Sequence, residues 1–148
     1  MSSTPADRPM HLRPSLIGLV IVGGTLGTAA REGVSLTVGT VGSFPLAIFL
    51  INVLGAGALG ILLERLAHDG PGAPRRQRAR LFAGTGFLGG FTTYSALATD
   101  TDLLFRAGDV STGILYAGGS LVLGFIAAWA GIVLGGSLRR RATPVADA

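Results

Sequence analysis

The sequence contains no cysteine and no lysine, and charged residues of any kind make up only 14% of its 148 residues. The absence of cysteine excludes disulfides, thiolate metal sites and thiol chemistry. Two histidines, His11 and His68, are too few for a histidine-rich metal centre. A soluble domain carries about 25% charged residues, and disorder requires low hydrophobicity. With 49% hydrophobic residues and 24 glycines, the composition indicates a small, glycine-rich integral membrane protein.

The few charges divide the chain into four long uncharged stretches. A helix needs about 20 mostly apolar residues to cross the hydrocarbon of a bilayer, so each stretch fits one crossing. The first stretch also resembles a signal peptide, because the short apolar run 16–22 precedes small residues at 28–30. We predict an all-α membrane domain over 14–137, with transmembrane helices near 14–32, 44–65, 81–104 and 111–137. A disordered cytoplasmic N-terminus covers 1–13, and a cytoplasmic C-terminal tail covers 138–148 and is disordered from 142.

Arginine is distributed unevenly between the two sides of this four-span arrangement. The side of the termini holds Arg8, Arg13, Arg65, Arg75, Arg76, Arg78, Arg80, Arg139, Arg140 and Arg141, and the other side holds Arg31 and Arg106. Because arginine-rich segments stay in the cytoplasm, both termini are predicted to be cytoplasmic, with the protein in the inner (plasma) membrane. The same rule explains the basic run at 75–78 without a nucleic-acid partner.

Small residues recur at a spacing of four in every span. Such pairs let membrane helices approach backbone to backbone. They predict close helix packing, with room for a narrow pore or for none. The pairs are Gly23 and Gly27, Ala56 and Gly60, Gly86 and Gly90, and Gly131 and Gly135.

The third span is predicted to be interrupted near its centre. Gly89 and Gly90 are followed by Thr92, Thr93 and Ser95, and this sequence is a poor helix centre. A break frees backbone groups, which in hydrocarbon must be satisfied by protein, water or an ion. Two interpretations stay open from the residues alone: an ion site at a broken helix, or a glycine-kinked packing helix.

The polar groups predicted at depth are all neutral. Asn52 lies in span two, and Tyr116 and Ser120 lie one turn apart in span four, where they share a face. The absence of a central carboxylate argues against proton-coupled transport and against a small multidrug-type exporter. Hydroxyl, amide and aromatic-edge hydrogens suit a small anion. No set of catalytic groups converges at depth, so an enzyme is not expected.

These motifs resemble the Fluc (CrcB-type) fluoride channels over almost the whole chain. The sequence GGTLGTAAR at 23–31 resembles the family pattern GGxxGAxxR, and NVLG at 52–55 matches NxxG. The sequence GFLGGFTTYS at 86–95 is similar to the long pattern GFxGGxTTFS. Tyr116 and Ser120 match the polar pair of span four. The third motif is long and specific, whereas the first alone would be weak.

The resemblance implies an antiparallel dimer of four-helix subunits with two fluoride pores and a fluoride-exporting function that protects the cytoplasm. It also implies a structural Na⁺ at the dimer centre, bound by the backbone carbonyls of Gly89 and Thr92. Arg31 would lie at a vestibule. The pore residues implied by the resemblance are Asn52, Tyr94, Ser95, Leu97, Tyr116 and Ser120.

Several positions depart from the family pattern. Tyr94 and Leu97 replace two phenylalanines, Ala96 replaces a threonine, Ala47 and Ile48 replace a Gly-Thr pair, and Gly124 replaces a serine. The strong arginine bias should also fix one orientation, whereas a homodimer with one inverted subunit needs a chain that inserts both ways. We therefore favour a heterodimer with an inverted partner of the same family over a homodimer. A non-conducting or partner-dependent subunit is the alternative.

Overall fold

A computed structural model describes residues 13–67 and 73–142, which are almost entirely helical. Three helices are long and apolar enough to cross a membrane: α1, α2 and the part of α6 from Val110 to Leu138. The prediction of an all-helical membrane protein is confirmed at this level. The elements are α1 (Pro14–Val38), α2 (Leu46–Arg65), α3 (Ala73–Ala79), a π-helical segment (Arg80–Leu88), α4 (Gly89–Phe91), α5 (Tyr94–Arg106) and α6 (Val110–Ala142).

The ends of the first two helices follow from local sequence. Pro14 starts α1, where its missing N–H costs nothing, and Gly39 ends it in the left-handed region at φ 63°. This helix runs six residues beyond the end predicted for span one, because apolar residues continue after Glu32. Phe44 and Pro45 form the turn into α2, whose last residue is Arg65.

The third predicted span consists of several pieces. The basic run 75–78 lies on helix α3 rather than in a loop, and α3 continues directly into the π-helical segment and then α4. Thr92 (ψ 154°) and Thr93 (φ −149°) are extended, and α5 begins at Tyr94. We call Thr92 and Thr93 the break. The Thr93 hydroxyl accepts a hydrogen bond from the Ala96 N–H, so Thr93 caps the N-terminus of α5.

The π-helical segment and α4 lie against α1 with no side chains between the backbones. A Cβ atom on Gly23 would overlap the Phe82 carbonyl, and one on Gly27 would overlap the Phe87 carbonyl. From the other side, a Cβ on Gly90 would overlap the carbonyl of Gly24. We call this contact, formed by Gly23, Gly27, Gly86 and Gly90, the glycine seam. The close packing predicted from these two glycine pairs is confirmed.

Helix α2 packs mainly on α6, and small residues again allow close approach. A Cβ on Gly60 would overlap the Ala128 carbonyl, and one on Gly131 would overlap the Gly57 carbonyl. Gly135 faces Ile61 and the side chain of Glu64. Helix α5 also packs on α6, so α6 connects α2 with the segment that follows the break.

A short turn joins α5 to α6 outside the predicted spans. Gly108 adopts φ 80°, and Asp109 then caps α6 by accepting a hydrogen bond from the Thr112 N–H at 3.2 Å. The Ser43 hydroxyl donates to the other carboxylate oxygen of Asp109 at 2.7 Å, which ties this turn to the turn before α2. The hydrogen bonds from Ser43 and Thr112 hold the pKa of Asp109 below its usual range. Helix α6 extends to Ala142, beyond the predicted end of span four, while 1–12 and most of the predicted C-terminal tail lie outside the described residues.

Candidate functional site

The break is held by Asn52 of α2. The Asn52 Nδ2 donates to the Thr93 carbonyl at 3.0 Å, and its Oδ1 accepts from the Thr93 N–H at 2.9 Å. One side-chain amide therefore satisfies both backbone groups of an extended residue within the helical bundle. Three residues further along α2, Gly55 lies against the methyl group of Thr92, which a Cβ at position 55 would overlap. Asn52 and Gly55 thus each contact one residue of the break: Asn52 contacts Thr93, and Gly55 contacts Thr92.

Two carbonyls at the break lose their helical partners as a result. In a continuous helix the Gly89 carbonyl would accept from the Thr93 N–H, which instead donates to Asn52. The Thr92 carbonyl accepts no backbone hydrogen bond within the described part of the chain. By contrast, the Leu88 carbonyl accepts from both the N–H and the hydroxyl of Thr92. Gly89 and Thr92 are the residues whose carbonyls the family resemblance implies as sodium ligands, which stays a prediction.

Hydroxyl groups continue the polar region into α5. The Thr93 and Ser95 hydroxyls lie 3.1 Å apart, so one donates to the other. Thr93 is buried, whereas Ser95 is exposed on the surface of the subunit. Tyr94 also projects outward, with 78% of its surface exposed. An exposed tyrosine and an exposed serine thus lie directly beside the buried polar groups of the break.

The other predicted pore residues lie inside the subunit. Tyr116 is fully buried, and its ring meets the ring of Phe44 edge to face at a centroid distance of 5.5 Å. Phe49 stacks edge-on against Phe44 at 5.3 Å. Ser120 is buried one turn below and donates its hydroxyl to the Tyr116 carbonyl at 2.6 Å. The predicted shared face of Tyr116 and Ser120 is confirmed, although the Ser120 hydroxyl is directed to its own helix.

Sequence reasoning missed two features beside Tyr116. The hydroxyl of Tyr116 donates to Asp100 Oδ2 at 3.2 Å, so a carboxylate of α5 lies against a predicted pore residue. The polar groups predicted at depth were all neutral, whereas the carboxylate of Asp100 lies within α5, six residues before its end. Phe44 was also missed. The spacing of Tyr94, Leu97 and Asp100, at intervals of three, was the available signal for Asp100, because it places all three near one helix face.

A shallow groove between α5 and α6 brings together two of the predicted residues. It has a volume of about 330 Å³, and Tyr94, Leu97, Ala98 and Leu121 line part of its wall. Leu97 itself is buried and packs with Leu104 and Tyr116. The structure therefore joins Leu97 to the buried aromatic cluster on one side and to the exposed groove of Tyr94 on the other.

The predicted residues form one connected region with a single exception. Asn52 and Ser95 meet at Thr93, and Leu97 connects Tyr94 with Tyr116. Arg31 lies half-buried on α1, seven residues before the end of that helix, and is not joined to this region by any described contact. The candidate site is thus the break together with the adjoining faces of α5 and α6.

Comparison with known proteins identifies the class to which this fold and site belong. A family model described as CrcB-like protein, Camphor Resistance (CrcB), matches residues 18–132. This match covers all of the motifs around the break, and the chain therefore belongs to the CrcB-like family.

Individual relatives carry more specific names. A protein of Leifsonia xyli subsp. xyli named fluoride-specific ion channel FluC 2 is 56% identical over 72% of this chain and 73% of its own length. A fluoride-specific ion channel FluC 1 of Cutibacterium acnes is 43% identical over 69% of this chain and 72% of the relative. One from Streptomyces coelicolor, also named FluC 1, is 33% identical over 76% and 72%. The predicted family is confirmed, and with it the prediction that the chain is not an enzyme.

Proposed function

We propose that this protein is a subunit of a fluoride-selective ion channel through which fluoride leaves the cytoplasm passively. The observation that carries the proposal is the break at Thr92 and Thr93, built by Asn52 and Gly55 from the neighbouring helix. The relatives named fluoride-specific ion channels, up to 56% identical, support the choice of ion. Export of a toxic anion would lower its cytoplasmic concentration.

The groups around the break suit a small anion that gives up its water. The Asn52 amide has two N–H donors, and its bond to the Thr93 carbonyl uses one, so the other remains for an anion. The exposed Ser95 hydroxyl adds a donor, and the ring edges of Tyr94 and the Phe44–Tyr116 cluster carry positive quadrupole character. Neutral donors can bind an anion without trapping it, which conduction requires.

A structural Na⁺ fits the carbonyls of Gly89 and Thr92. Sodium prefers hard oxygen ligands, and the break leaves these two carbonyls without helical partners. Gly89 is exposed on the subunit surface, so a second copy of the same segment could bring two more carbonyls to the same ion. When bound there, the cation would supply a fixed positive charge close to the fluoride path and link two subunits.

The arrangement in the membrane follows from the same proposal. The segments before and after the break together form a third crossing, which gives a four-span subunit with cytoplasmic termini in the plasma membrane. The exposed face of Tyr94, Ser95 and Gly89 is completed by a second, inverted subunit of the same family. The arginine bias favours a heterodimer. Departures such as Leu97 favour it too, because the partner could supply the missing pore groups.

The first experiment measures fluoride efflux from liposomes, with chloride as the selectivity control. The chain is reconstituted alone and together with a family member whose arginine bias is reversed. Fluoride efflux only from the mixed sample supports a heterodimeric channel. Efflux at the same rate from the chain alone overturns the heterodimer but leaves the channel function intact. An absence of fluoride flux in both samples favours the non-conducting subunit.

Orientation can be measured separately because the natural chain has no cysteine. Val41→Cys places a single thiol in the exposed turn before α2, and Ala67→Cys places one at the opposite end of α2. A membrane-impermeant maleimide added to intact cells should label only the first. Equal labelling of both variants would show dual insertion and would remove the charge argument for a heterodimer.

A further inference from the structure

A groove of about 720 Å³ lies between the C-terminal part of α2 and the segment that leads into the third predicted span. Its wall on the α2 side is apolar and consists of Leu59, Leu63 and Leu66, which are spaced so that they share a face. Its opposite wall begins with Arg76 and Arg80 and continues with apolar and small residues. These are Leu81, Gly84 and Thr85.

The groove has a polar end and an apolar end. At the apolar end the absence of a side chain on Gly84 leaves space, since a Cβ there would lie 3.5 Å from Leu62 and 3.8 Å from Leu59. Arg76 and Arg80 lie at the other end, four residues apart and therefore on one face of the helix. The groove changes from polar to apolar along the axis of α2, and α2 is long and apolar enough to span a membrane.

The polar end is positively charged. Besides the two arginines of the groove, Arg65, Arg75 and Arg78 lie on the same end of the molecule. Glu64 is the one carboxylate of α2, and it lies at this end beside Gly135 and Gly136 of α6, so the arginines outnumber it there. No acidic residue is found among the described residues that line the groove. An occupant with one anionic group and a long apolar part matches both ends.

We infer that this groove binds an anionic phospholipid of the leaflet in which the arginine-rich end lies. The phosphate group would contact Arg76 and Arg80, and one acyl chain would lie along Leu59, Leu63 and Leu81. Basic pockets between membrane helices on the cytoplasmic side suit anionic head groups in this way. A free phosphate would leave the apolar wall exposed, so a lipid is the better match. The inference does not depend on fluoride conduction.

The test uses a tryptophan placed in the groove as a reporter of neighbouring lipid. Trp129 is the only natural tryptophan, so Trp129→Phe with Leu63→Trp gives a single emitter. The full chain is reconstituted in phosphatidylcholine vesicles that contain either brominated phosphatidylglycerol or an equal fraction of brominated phosphatidylcholine. Brominated phosphatidylglycerol should quench the emission more strongly, with an affinity ratio of about fivefold for each arginine that contacts the head group.

Two double variants separate a built site from a diffuse basic surface. Arg76→Gln with Arg80→Gln should abolish the preference for phosphatidylglycerol. Arg75→Gln with Arg78→Gln removes the same charge from exposed positions outside the groove and should preserve it. An equal loss in both variants would overturn the site, as would equal quenching by the two lipids in the parent chain. Unchanged quenching by brominated phosphatidylcholine shows that each variant remains inserted.

Two further measurements identify the ligand and control for the effect of the Leu63→Trp substitution. An excess of soluble glycerol phosphate should not reduce the preference. If it does, the groove binds free phosphate and the lipid assignment is wrong. Because Leu63→Trp adds bulk, phosphatidylglycerol retained by chains with natural Leu63 is quantified after purification by mass spectrometry. Retention should fall in the Arg76→Gln, Arg80→Gln chain but not in the Arg75→Gln, Arg78→Gln chain, and equal retention would contradict the proposal.

Discussion

The glycine seam and the break lie next to each other but are stabilised in different ways. At the seam, Gly23 and Gly27 meet the backbone of the facing helix directly, so that shape alone determines the contact. At the break, side chains make the contact, and Asn52 supplies two hydrogen bonds to Thr93. The seam therefore tolerates no added atom, whereas the break depends chiefly on keeping its polar groups paired.

This difference agrees with where the chain departs from the family pattern. The motif glycines of the seam are all present, as are Asn52 and Gly55. The substitutions at Tyr94, Ala96 and Leu97 all lie after the break, on α5. Three departures therefore lie together on α5, and others lie at Ala47, Ile48 and Gly124, but none of them replaces a glycine of the seam.

The largest effect is expected at the seam. Gly27→Leu would place its Cβ on the Phe87 carbonyl and its remaining atoms against Phe91, so the helices must separate. Overpacking of side chains costs about 1–3 kcal/mol of unfolding free energy, and here the obstacle is backbone that cannot move aside, so the cost should exceed that range. Gly33→Leu is the control, because nothing lies within 4 Å of a Cβ at that exposed position of the same helix. Thermal unfolding in detergent measures both, and equal melting temperatures would show that the close contact is not needed.

The next effect is expected at the break itself. Asn52→Ala leaves the N–H and the carbonyl of Thr93 without partners, and each unsatisfied buried group costs about 1–3 kcal/mol. We expect reduced thermal stability together with loss of fluoride efflux. Thr101→Val is the matched control, since it removes only a bond from Thr101 to the Leu97 carbonyl of its own helix. If the two variants unfold alike, Asn52 does not hold the break.

A smaller effect is expected from the loss of the Tyr116 hydroxyl alone. Tyr116→Phe removes the hydroxyl that donates to Asp100 but keeps the ring against Phe44, so the loss should be about 0.5–1.5 kcal/mol. Tyr116→Ala removes the buried ring as well and should cost about 3–5 kcal/mol. Denaturant or thermal unfolding distinguishes them. A Phe variant as unstable as the Ala variant would mean that the hydrogen bond, and not the packing, dominates here.

The smallest effect is expected from acid at the turn before α6. The pKa of Asp109 is lowered in the folded chain from its usual value of 3.8, so its stabilising contribution is present above pH 3.8. It is lost as the pH falls through the lower folded pKa, when the carboxylate no longer accepts from Ser43 and Thr112. Hydrogen exchange at the Thr112 N–H should accelerate over that range. Asp109→Asn keeps a capping side chain and should exchange independently of pH there, after correction for intrinsic rates.

Much of the helical framework could be predicted from the apolar stretches and from the proline and glycine residues at which helices begin and end. Pro14 and Gly39 mark the ends of α1, and the glycine pairs predict which faces come together. The length of α6 and the helix at 73–79 were harder to predict. Arginines outside the membrane end an apolar stretch of the sequence, but they do not end the helix. Charge marks the limits of the bilayer, whereas backbone hydrogen bonding determines the limits of the helix.

The residues of the candidate site could be predicted from the sequence, but the contacts between them could be predicted less well. The polarity of Asn52 at depth indicates that it must find a partner, but no sequence rule identifies Thr93 as that partner. The contact of Asp100 with Tyr116 joins two helices and depends on how α5 rotates after the break. Two extended residues interrupt the helix there, so the helical periodicity before the break does not predict the rotation of α5 after it.

The interruption also has a consequence for how the protein is made. Helix α5 has 13 residues and is about 20 Å long, well short of the roughly 30 Å of hydrocarbon, and it carries Asp100 and Asp102. In a four-span arrangement the translocon would release such a segment poorly into lipid on its own. Its packing surface is α6, the helix that follows it in the chain. In that arrangement the third crossing would be completed only after α6 has emerged from the ribosome, so that α5 and α6 would enter the membrane together.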